Sequence, residues 1–162
     1  VAKMNPPLRN QSDIDTIKEG IARSIITILA TDHAPHPRRT KDLPFPEASF
    51  GVVGVECALA LYVKALVHDG VIDWPHLLAM MTHPPAALIG RPDLGSLRVG
   101  GIADITVIDP DLEWIINASE FHSTGRNCPF DGWKVKGKSV VTILGGKITS
   151  LCLQDPTQID NT

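Results

Sequence analysis

A short apolar run at residues 24–30 is the feature that most constrains how this chain folds. The run reads SIITILA and continues directly into Thr31, Asp32 and His33. A nearly continuous apolar run of this length is typical of a strand buried on both faces, as in a parallel sheet. Because parallel strands are usually joined through helices, the run predicts an α/β fold with βα alternation, in a sheet or a barrel.

Helices are predicted on both sides of this strand. Isoleucines in residues 13–23 recur at spacings of three and four, the period of an amphipathic helix, and residues 52–69 carry a similar apolar side. The proline-rich residues 33–49 between the strand and the second helix predict a long loop. With their caps, the predicted helices are residues 13–23 after Ser12, residues 52–69 before Gly70, and two short helices after Asp73 and Thr82.

The chain changes character beyond Pro92. Strands are predicted at residues 103–109, 113–117, 138–144 and 147–151. Gly145 and Gly146 separate the last two strands and predict a two-residue hairpin turn. We therefore expect a βα part over residues 1–90, an antiparallel β module over residues 91–152 and a polar tail over residues 153–162.

Composition excludes several classes of protein. Fifteen basic and 18 acidic residues give a formal charge of −3, which argues against a nucleic-acid binder. No apolar run approaches the roughly 20 residues that a membrane span needs. Three widely spaced cysteines favour a reducing, cytoplasmic compartment over a disulfide framework. The chain starts at Val1 and runs at once into a dense motif, so we expect a piece of a larger protein whose site can be incomplete.

The strongest chemical signal is the hexapeptide TDHAPH at residues 31–36. Asp32 falls at the C-terminal edge of the predicted strand, which is where βα barrels build their active sites. A carboxylate there can bind a divalent metal at about 2.0–2.2 Å or accept a proton from an attacking water. The alternative is an aspartate that caps the turn beside solvated histidines. The prolines and the second histidine, His36, favour the functional interpretation.

Two further sites are weaker when each is taken alone. Asn5 precedes two prolines at what is predicted to be another strand end, where an amide offers a donor and an acceptor to a polar ligand. The alternative is an asparagine that serves turn chemistry. Phe50 and Gly51 end the long loop before a helix, and a glycine there lets backbone N–H groups approach an anion. The alternative is a simple loop-to-helix junction.

The segment at residues 126–133 is dense in special residues and is interpreted as a structured connection within the β module. A nucleophilic role for Cys128 is disfavoured because no paired base is evident in the sequence.

Together these residues resemble the C-terminal part of dihydroorotases of the amidohydrolase superfamily. The resemblance extends to about Ser150, in the same order along the chain, and the NPPLR and TDHAPH motifs are its most specific parts. The matching segments are residues 3–9 (KMNPPLR), 31–36 (TDHAPH), 50–56 (FGVVGVE), 94–109 (LGSLRVGGIADITVID) and 126–146 (RNCPFDGWKVKGKSVVTILGG).

This resemblance implies a fold, a reaction and a set of roles. The fold is a metal-dependent (β/α)8 TIM-type barrel with a small β-sandwich module; this chain would supply the last two barrel strands, near residues 1–5 and 25–31, and the C-terminal share of the module. The reaction is the reversible hydrolysis of dihydroorotate to N-carbamoyl-L-aspartate in pyrimidine biosynthesis. By resemblance, Asp32 is a ligand to one or two zinc ions and the general acid/base, and the substrate is bound by Asn5, His36 and the backbone of Phe50 and Gly51.

The resemblance also leaves a site that is incomplete. The His-x-His strand and the remaining metal ligands of the family lie upstream, and none of the six histidines here has that spacing. A catalytic zinc needs about three protein ligands. We therefore expect the chain to be inactive alone, with the rest of the same enzyme as its first partner and a homo-oligomer or an aspartate transcarbamoylase complex as further ones.

Two alternatives stay open. One is a sister enzyme that opens a different cyclic amide, such as a dihydropyrimidinase, hydantoinase or allantoinase; His36 and the NPPLR motif favour the acidic dihydroorotate over these substrates. The other is a non-catalytic homologue that scaffolds aspartate transcarbamoylase, a role that the retained Asp32 disfavours.

Overall fold

The computed structural model describes residues 2–152, so the predicted tail over residues 153–162 lies outside the described residues. The α-helices are α1 (Gln11–Ala22), α2 (Arg38–Lys41), α3 (Ala58–Tyr62), α4 (Trp74–Met81) and α5 (His83–Leu88), and the strands are β1 (Ile105–Ile115), β2 (Lys134–Leu144) and β3 (Lys147–Leu151). A π-helical segment, Val63–His68, extends α3, and a 3₁₀ turn, Ala118–Glu120, follows β1.

The strand predicted at residues 24–30 is wrong for the part of the chain that the structure describes. The N–H groups of Ser24 and Ile25 bond back to α1, and the Leu29 N–H donates to the Met80 carbonyl at 3.2 Å. A parallel strand requires hydrogen-bonded neighbours, and no stretch within residues 2–152 runs beside this segment as a strand. Residues 2–5, predicted as another strand end, likewise form no strand.

Helices form in the predicted regions, but they begin or end at different residues. Asn10, not Ser12, caps α1, because its side-chain oxygen accepts the Asp13 N–H at 3.0 Å. Asp73 caps α4 as predicted, through the His76 N–H. Thr82 stands at the cap position of α5, but its hydroxyl donates to the Leu78 carbonyl instead.

The helix predicted from residue 52 begins only at Ala58. Residues 52–57 are drawn away from helical geometry because Val52 pairs with His33 in a parallel β-bridge. The predicted end is confirmed: Gly70 follows the π-helical segment with φ of 69° and donates its N–H to the Val67 carbonyl.

The β part is a three-stranded antiparallel sheet in the order β1-β2-β3. Gly145 and Gly146 form the predicted hairpin turn, with φ of 56° and 79°. The strands predicted at residues 103–109 and 113–117 are one continuous strand, with a register shift between Asp109 and Glu113. There the Asp109 carboxylate accepts the N–H groups of Asp111 and Leu112, so the chain bulges without leaving the sheet.

Two buried clusters hold the elements together, and α3 with its π-helical extension contributes to both. The first cluster joins the lead into α3 and α3 itself to the β part; it comprises Val53, Cys57, Ala60, Ile116, Ala118, Phe121, Cys128 and Val135. The second joins α1, the π-helical segment and α4; it comprises Ile21, Val63, Leu66, Leu77 and Met80. The first cluster crosses the predicted boundary at residue 90, so the β part and the βα part share a core.

No helix within residues 2–152 combines the length and the apolar character needed to cross a bilayer.

Candidate active site

The turn that carries Asp32 lies against the segment that leads into α3. His33 and Val52 form the parallel bridge, and the Ala34 N–H donates to the Val52 carbonyl at 2.9 Å. Asp32, one residue before the bridge, has φ of 44°, a left-handed conformation that few residues other than glycine adopt. Its side chain is exposed. The Asp32 carboxylate is therefore accessible, on a backbone whose unusual conformation the neighbouring contacts hold.

Gly51 is the point at which several segments of the site meet. Its N–H donates to the Lys3 carbonyl at 2.8 Å, and its carbonyl accepts from Lys41 Nζ at 2.9 Å and from Asn127 Nδ2 at 3.2 Å. Its φ is 99°, and a Cβ atom here would lie 2.5 Å from Ala34 Cβ. Both the backbone conformation and the packing therefore require glycine at this position.

Two buried lysines support the loop that ends at Gly51. Lys3 and Lys41 are 8% and 7% exposed. Their ammonium groups donate to loop carbonyls: Lys3 Nζ to Pro46 at 3.0 Å and Ala48 at 2.7 Å, and Lys41 Nζ to Ser49 at 2.8 Å and Gly51 at 2.9 Å. The rings of Phe45 and Phe50 face Lys3 Nζ, with centroids at 5.3 and 4.3 Å. Burial and the neighbouring charge of Lys3 lower the pKa of Lys41.

Asn127, in the loop before β2, joins both sides of the site through its buried side chain. Its Oδ1 accepts the His36 N–H at 2.9 Å, and its Nδ2 donates to the carbonyls of Ala34 at 3.0 Å and Gly51. Its own carbonyl accepts the Val53 N–H at 3.1 Å. Sequence reasoning missed this residue, since the only signal was the density of special residues at 126–133.

His33 is fully engaged in hydrogen bonds, so the solvated alternative is wrong for this histidine. Its Nδ1 accepts the N–H groups of Gly54 and Val55, both at 3.2 Å. Its Nε2 lies 3.2 Å from Ser123 Oγ, which in turn donates to Glu56 Oε1 at 2.6 Å. This chain of contacts ties the turn at residues 32–36 to the loop after the 3₁₀ turn.

The Glu56 carboxylate is the charged end of that chain. Burial by itself would raise the pKa of Glu56, but hydrogen bonds from the Ser123 hydroxyl and from the N–H groups of His122 and Ser123 outweigh it. The net effect lowers the pKa of Glu56 below its usual range. Glu56 is therefore a carboxylate at neutral pH and acts as an acceptor in every one of these contacts.

Of the residues predicted for the site, His36 lies beside Gly51. His36 Nε2 is 3.8 Å from the position that a Gly51 Cβ would take. Asn5 is exposed and follows Lys3, the acceptor of the Gly51 N–H, by two residues. Phe50 is 52% exposed, and its backbone N–H and carbonyl bond to no other backbone group within residues 2–152. The position of Asp32 is fixed by the next residue, His33, which forms the bridge with Val52.

Comparison with known families decides the relationship. The model of the amidohydrolase family matches residues 4–149, nearly the whole chain. The chain belongs to the amidohydrolase family.

Curated relatives of this amidohydrolase are dihydroorotases. It is 44% identical over 147 residues to the dihydroorotase of Citrifermentans bemidjiense and 47% identical over 147 residues to that of Geobacter metallireducens. Each match covers 91% of this chain and 34% of the relative. The chain thus spans about a third of the length of the curated relatives it matches.

Solved structures agree on the fold. The chain superposes on the L-hydantoinase (dihydropyrimidinase) of Arthrobacter aurescens with a TM-score of 0.86 at 30% identity, covering 94% of this chain and 35% of that one. The D-hydantoinase (dihydropyrimidinase) of a Thermus species gives a TM-score of 0.85 at 26% identity, covering 93% and 34%.

Amidohydrolases generally depend on a metal, and the described residues fit a part of such a centre. Within residues 2–152 no group of three or more histidine, cysteine or acidic side chains could hold an ion. Asp32 fits one ligand position, because it is an exposed carboxylate beside a segment that the hydrogen bonds of His33 hold in place. A catalytic metal of this kind takes about three protein ligands, so residues 2–152 alone do not form a complete centre.

The requirement for glycine at position 51 can be tested against a matched glycine. Gly90 has a similar φ of 75°, but a Cβ there would meet nothing within 4 Å. Gly90→Ala should cost only the left-handed strain, roughly 1–2 kcal/mol. Gly51→Ala should cost about 1–3 kcal/mol more, because its Cβ overlaps Ala34. Thermal unfolding of both variants measures the difference, and equal losses of Tm would contradict the packing argument.

Proposed function

We propose that the chain is the C-terminal portion of a dihydroorotase. Residues 1–90 provide the last two strands and helices of a (β/α)8 barrel, and residues 91–152 provide the C-terminal share of a β-sandwich module, followed by the polar tail at residues 153–162. Two findings support this: the 43–47% identity to dihydroorotases and the superposition on hydantoinases. In such a barrel, residues 25–31 gain the neighbouring strands that residues 2–152 do not supply.

The proposed reaction is the reversible hydrolysis of the cyclic amide of (S)-dihydroorotate to N-carbamoyl-L-aspartate, a step of pyrimidine biosynthesis in the cytoplasm. One observation carries the proposal: in a chain 47% identical to a dihydroorotase, the Asn127 side chain joins the His36 backbone to Gly51, and the Asp32 turn joins the same segment through the bridge between His33 and Val52. The proposed site therefore combines an acid/base with groups that can recognise an anionic cyclic ureide.

Asp32 has two roles in this proposal. It would hold one or two zinc ions together with ligands from the rest of the enzyme. When bound, zinc supplies Lewis-acid chemistry and activates water at neutral pH. Asp32 takes the proton from the attacking water and passes it to the ring nitrogen that leaves. The same carboxylate serves both directions of the reaction, since ring opening and closing share one transition state.

His36, Asn5 and the loop end bind the substrate. The His36 imidazole pairs with the substrate carboxylate, and the Asn5 amide reads the donor and acceptor groups of the ureide. We assign the backbone contact to Phe50, because the Gly51 N–H is already donated to Lys3 and the Gly51 carbonyl already accepts twice. Gly51 then allows the close packing against Ala34, which any side chain at this position would block.

A sister cyclic amidohydrolase is the second candidate function. The structures on which the chain superposes are hydantoinases and dihydropyrimidinases, with TM-scores up to 0.86. Their identities of 22–30% are well below the 43–47% of the dihydroorotases, which is why this candidate ranks second. Against a non-catalytic scaffold for aspartate transcarbamoylase stands the retained and exposed Asp32.

The first partner in this proposal is the remainder of the same enzyme. A largely apolar open pocket of about 530 Å³ borders the segment at residues 30–31; its walls include Met4, Ala30, Val52, Leu61, Phe130 and Trp133. Apolar surface of this kind is stabilised when further barrel elements cover it. Homo-oligomers and a complex with aspartate transcarbamoylase are further proposed assemblies.

A chimera tests the function directly. The 162-residue chain alone should show no hydrolysis of dihydroorotate with zinc, because the remaining ligands are missing. Fused behind the upstream part of the Geobacter metallireducens dihydroorotase, the chain should restore zinc-dependent turnover, and the same fusion with Asp32→Asn should not. A chimera that opens dihydrouracil or hydantoin but not dihydroorotate would support the sister enzyme, and turnover by the chain alone would contradict the divided site.

The roles of Asp32 and His36 separate in kinetics of the full-length enzyme. Asp32→Asn keeps the shape of the side chain but removes the proton acceptor, so kcat should fall by roughly 100-fold or more in both directions. His36→Ala removes a contact that exists throughout the reaction, so KM should rise about 10-fold with little change in kcat. Zinc content should stay unchanged in His36→Ala. Loss of zinc in that variant, or a nearly normal kcat in Asp32→Asn, would refute the assignment.

A further inference from the structure

We propose that Ser123 and Glu56 are positioning residues that act through His33 to hold the backbone of Asp32, an inference that rests on the proposed role of Asp32. His33 follows Asp32 directly in the chain. Its ring bonds to the lead into α3 on one side and to Ser123 on the other. None of these three side chains has a role in the substrate contacts or the proton transfer described above.

The hydrogen bonds around His33 allow only one order of donors and acceptors. Nδ1 accepts two backbone N–H groups, from Gly54 and Val55, so the ring proton sits on Nε2. The Nε2–H therefore donates to Ser123 Oγ at 3.2 Å, and the Ser123 hydroxyl donates to Glu56 Oε1 at 2.6 Å. Every group in the series has a single role, and the series ends at a carboxylate.

Glu56 fixes the far end of the series. Its two oxygens also accept the N–H groups of His122, at 2.6 Å, and Ser123, at 3.0 Å. These bonds attach the loop after the 3₁₀ turn to the lead into α3, independently of the Ser123 hydroxyl. Removing that hydroxyl should therefore free the Nε2 side of the His33 ring while leaving the two loops joined.

Asp32 needs such support because its backbone is strained. A φ of 44° is uncommon in a residue other than glycine and persists only where surrounding contacts impose it. On the C-terminal side of the turn, Asn127 holds Ala34 and His36. On the Asp32 side, the His33 ring is the side chain that fixes the backbone. Ser123 and Glu56 therefore determine how precisely the Asp32 carboxylate is positioned.

The test uses the full-length enzyme with substitutions at Ser123. Ser123→Ala should lower kcat about 10-fold, the size of effect found when a group that orients a metal ligand is removed. KM for dihydroorotate should stay within about two-fold, since no substrate contact changes. Ser123→Thr keeps the hydroxyl and should restore most of kcat. The control is Ser96→Ala, which removes an exposed hydroxyl elsewhere and should leave kcat and KM unchanged.

A spectroscopic measurement separates this proposal from the proposed function. Imidazole ¹⁵N spectra, with His33 assigned by its loss in His33→Gln, should show the Nε2–H tautomer in the wild type and a shifted Nε2 resonance in Ser123→Ala, which removes the acceptor of that proton. A wild-type ring protonated on Nδ1, an unchanged kcat in Ser123→Ala, or a loss that Ser123→Thr does not restore would each overturn the positioning role. A full-length enzyme that does not hydrolyse dihydroorotate would refute the proposed function, and the Nε2 comparison would still decide whether Ser123 accepts the His33 proton.

Discussion

The buried side-chain amide of Asn127 is the interaction on which the arrangement of the site depends. It satisfies one N–H and two carbonyls from two different loops, those of His36, Ala34 and Gly51. A buried polar group left without a partner costs about 1–3 kcal/mol, so replacing this amide by an apolar side chain would lower the stability of the fold. Because Asn127 belongs to the loop before β2, the β part of the chain holds the two loops of the site together.

Two buried lysines also stabilise the loop that ends at Gly51. Lys3 and Lys41 share the same region, and their charges would be costly to bury unless polar partners surrounded them. The partners are carbonyls of the loop at residues 46–51. In the conformation that satisfies both ammonium groups, Gly51 lies beside His36. The conformation of the binding loop is thus linked to the position of the segment that carries Asn5.

Local sequence patterns were sufficient to predict helix caps and turns, which depend on residues close in the chain. The cap at Asp73, the helix end at Gly70 and the hairpin turn before β3 are confirmed, since each involves contacts within a few positions. Non-local features escaped prediction. The strand predicted at residues 24–30 does not form among the described residues, because a strand needs neighbouring strands to pair with. Residues 52–57 leave helical geometry because of a bridge to His33. Asn127 bonds to groups 76 to 93 positions away, and no periodicity indicates such a contact.

Hydrogen exchange at the His36 amide tests most directly whether Asn127 holds the site together. This N–H donates only to Asn127 Oδ1 among the described residues. In the full-length enzyme, Asn127→Ala should accelerate its exchange by about 10-fold or more, the equivalent of one lost hydrogen bond. Asn117→Ala, which removes an exposed cap near the 3₁₀ turn, should leave it unchanged. An unchanged exchange rate at His36 in Asn127→Ala would contradict the account.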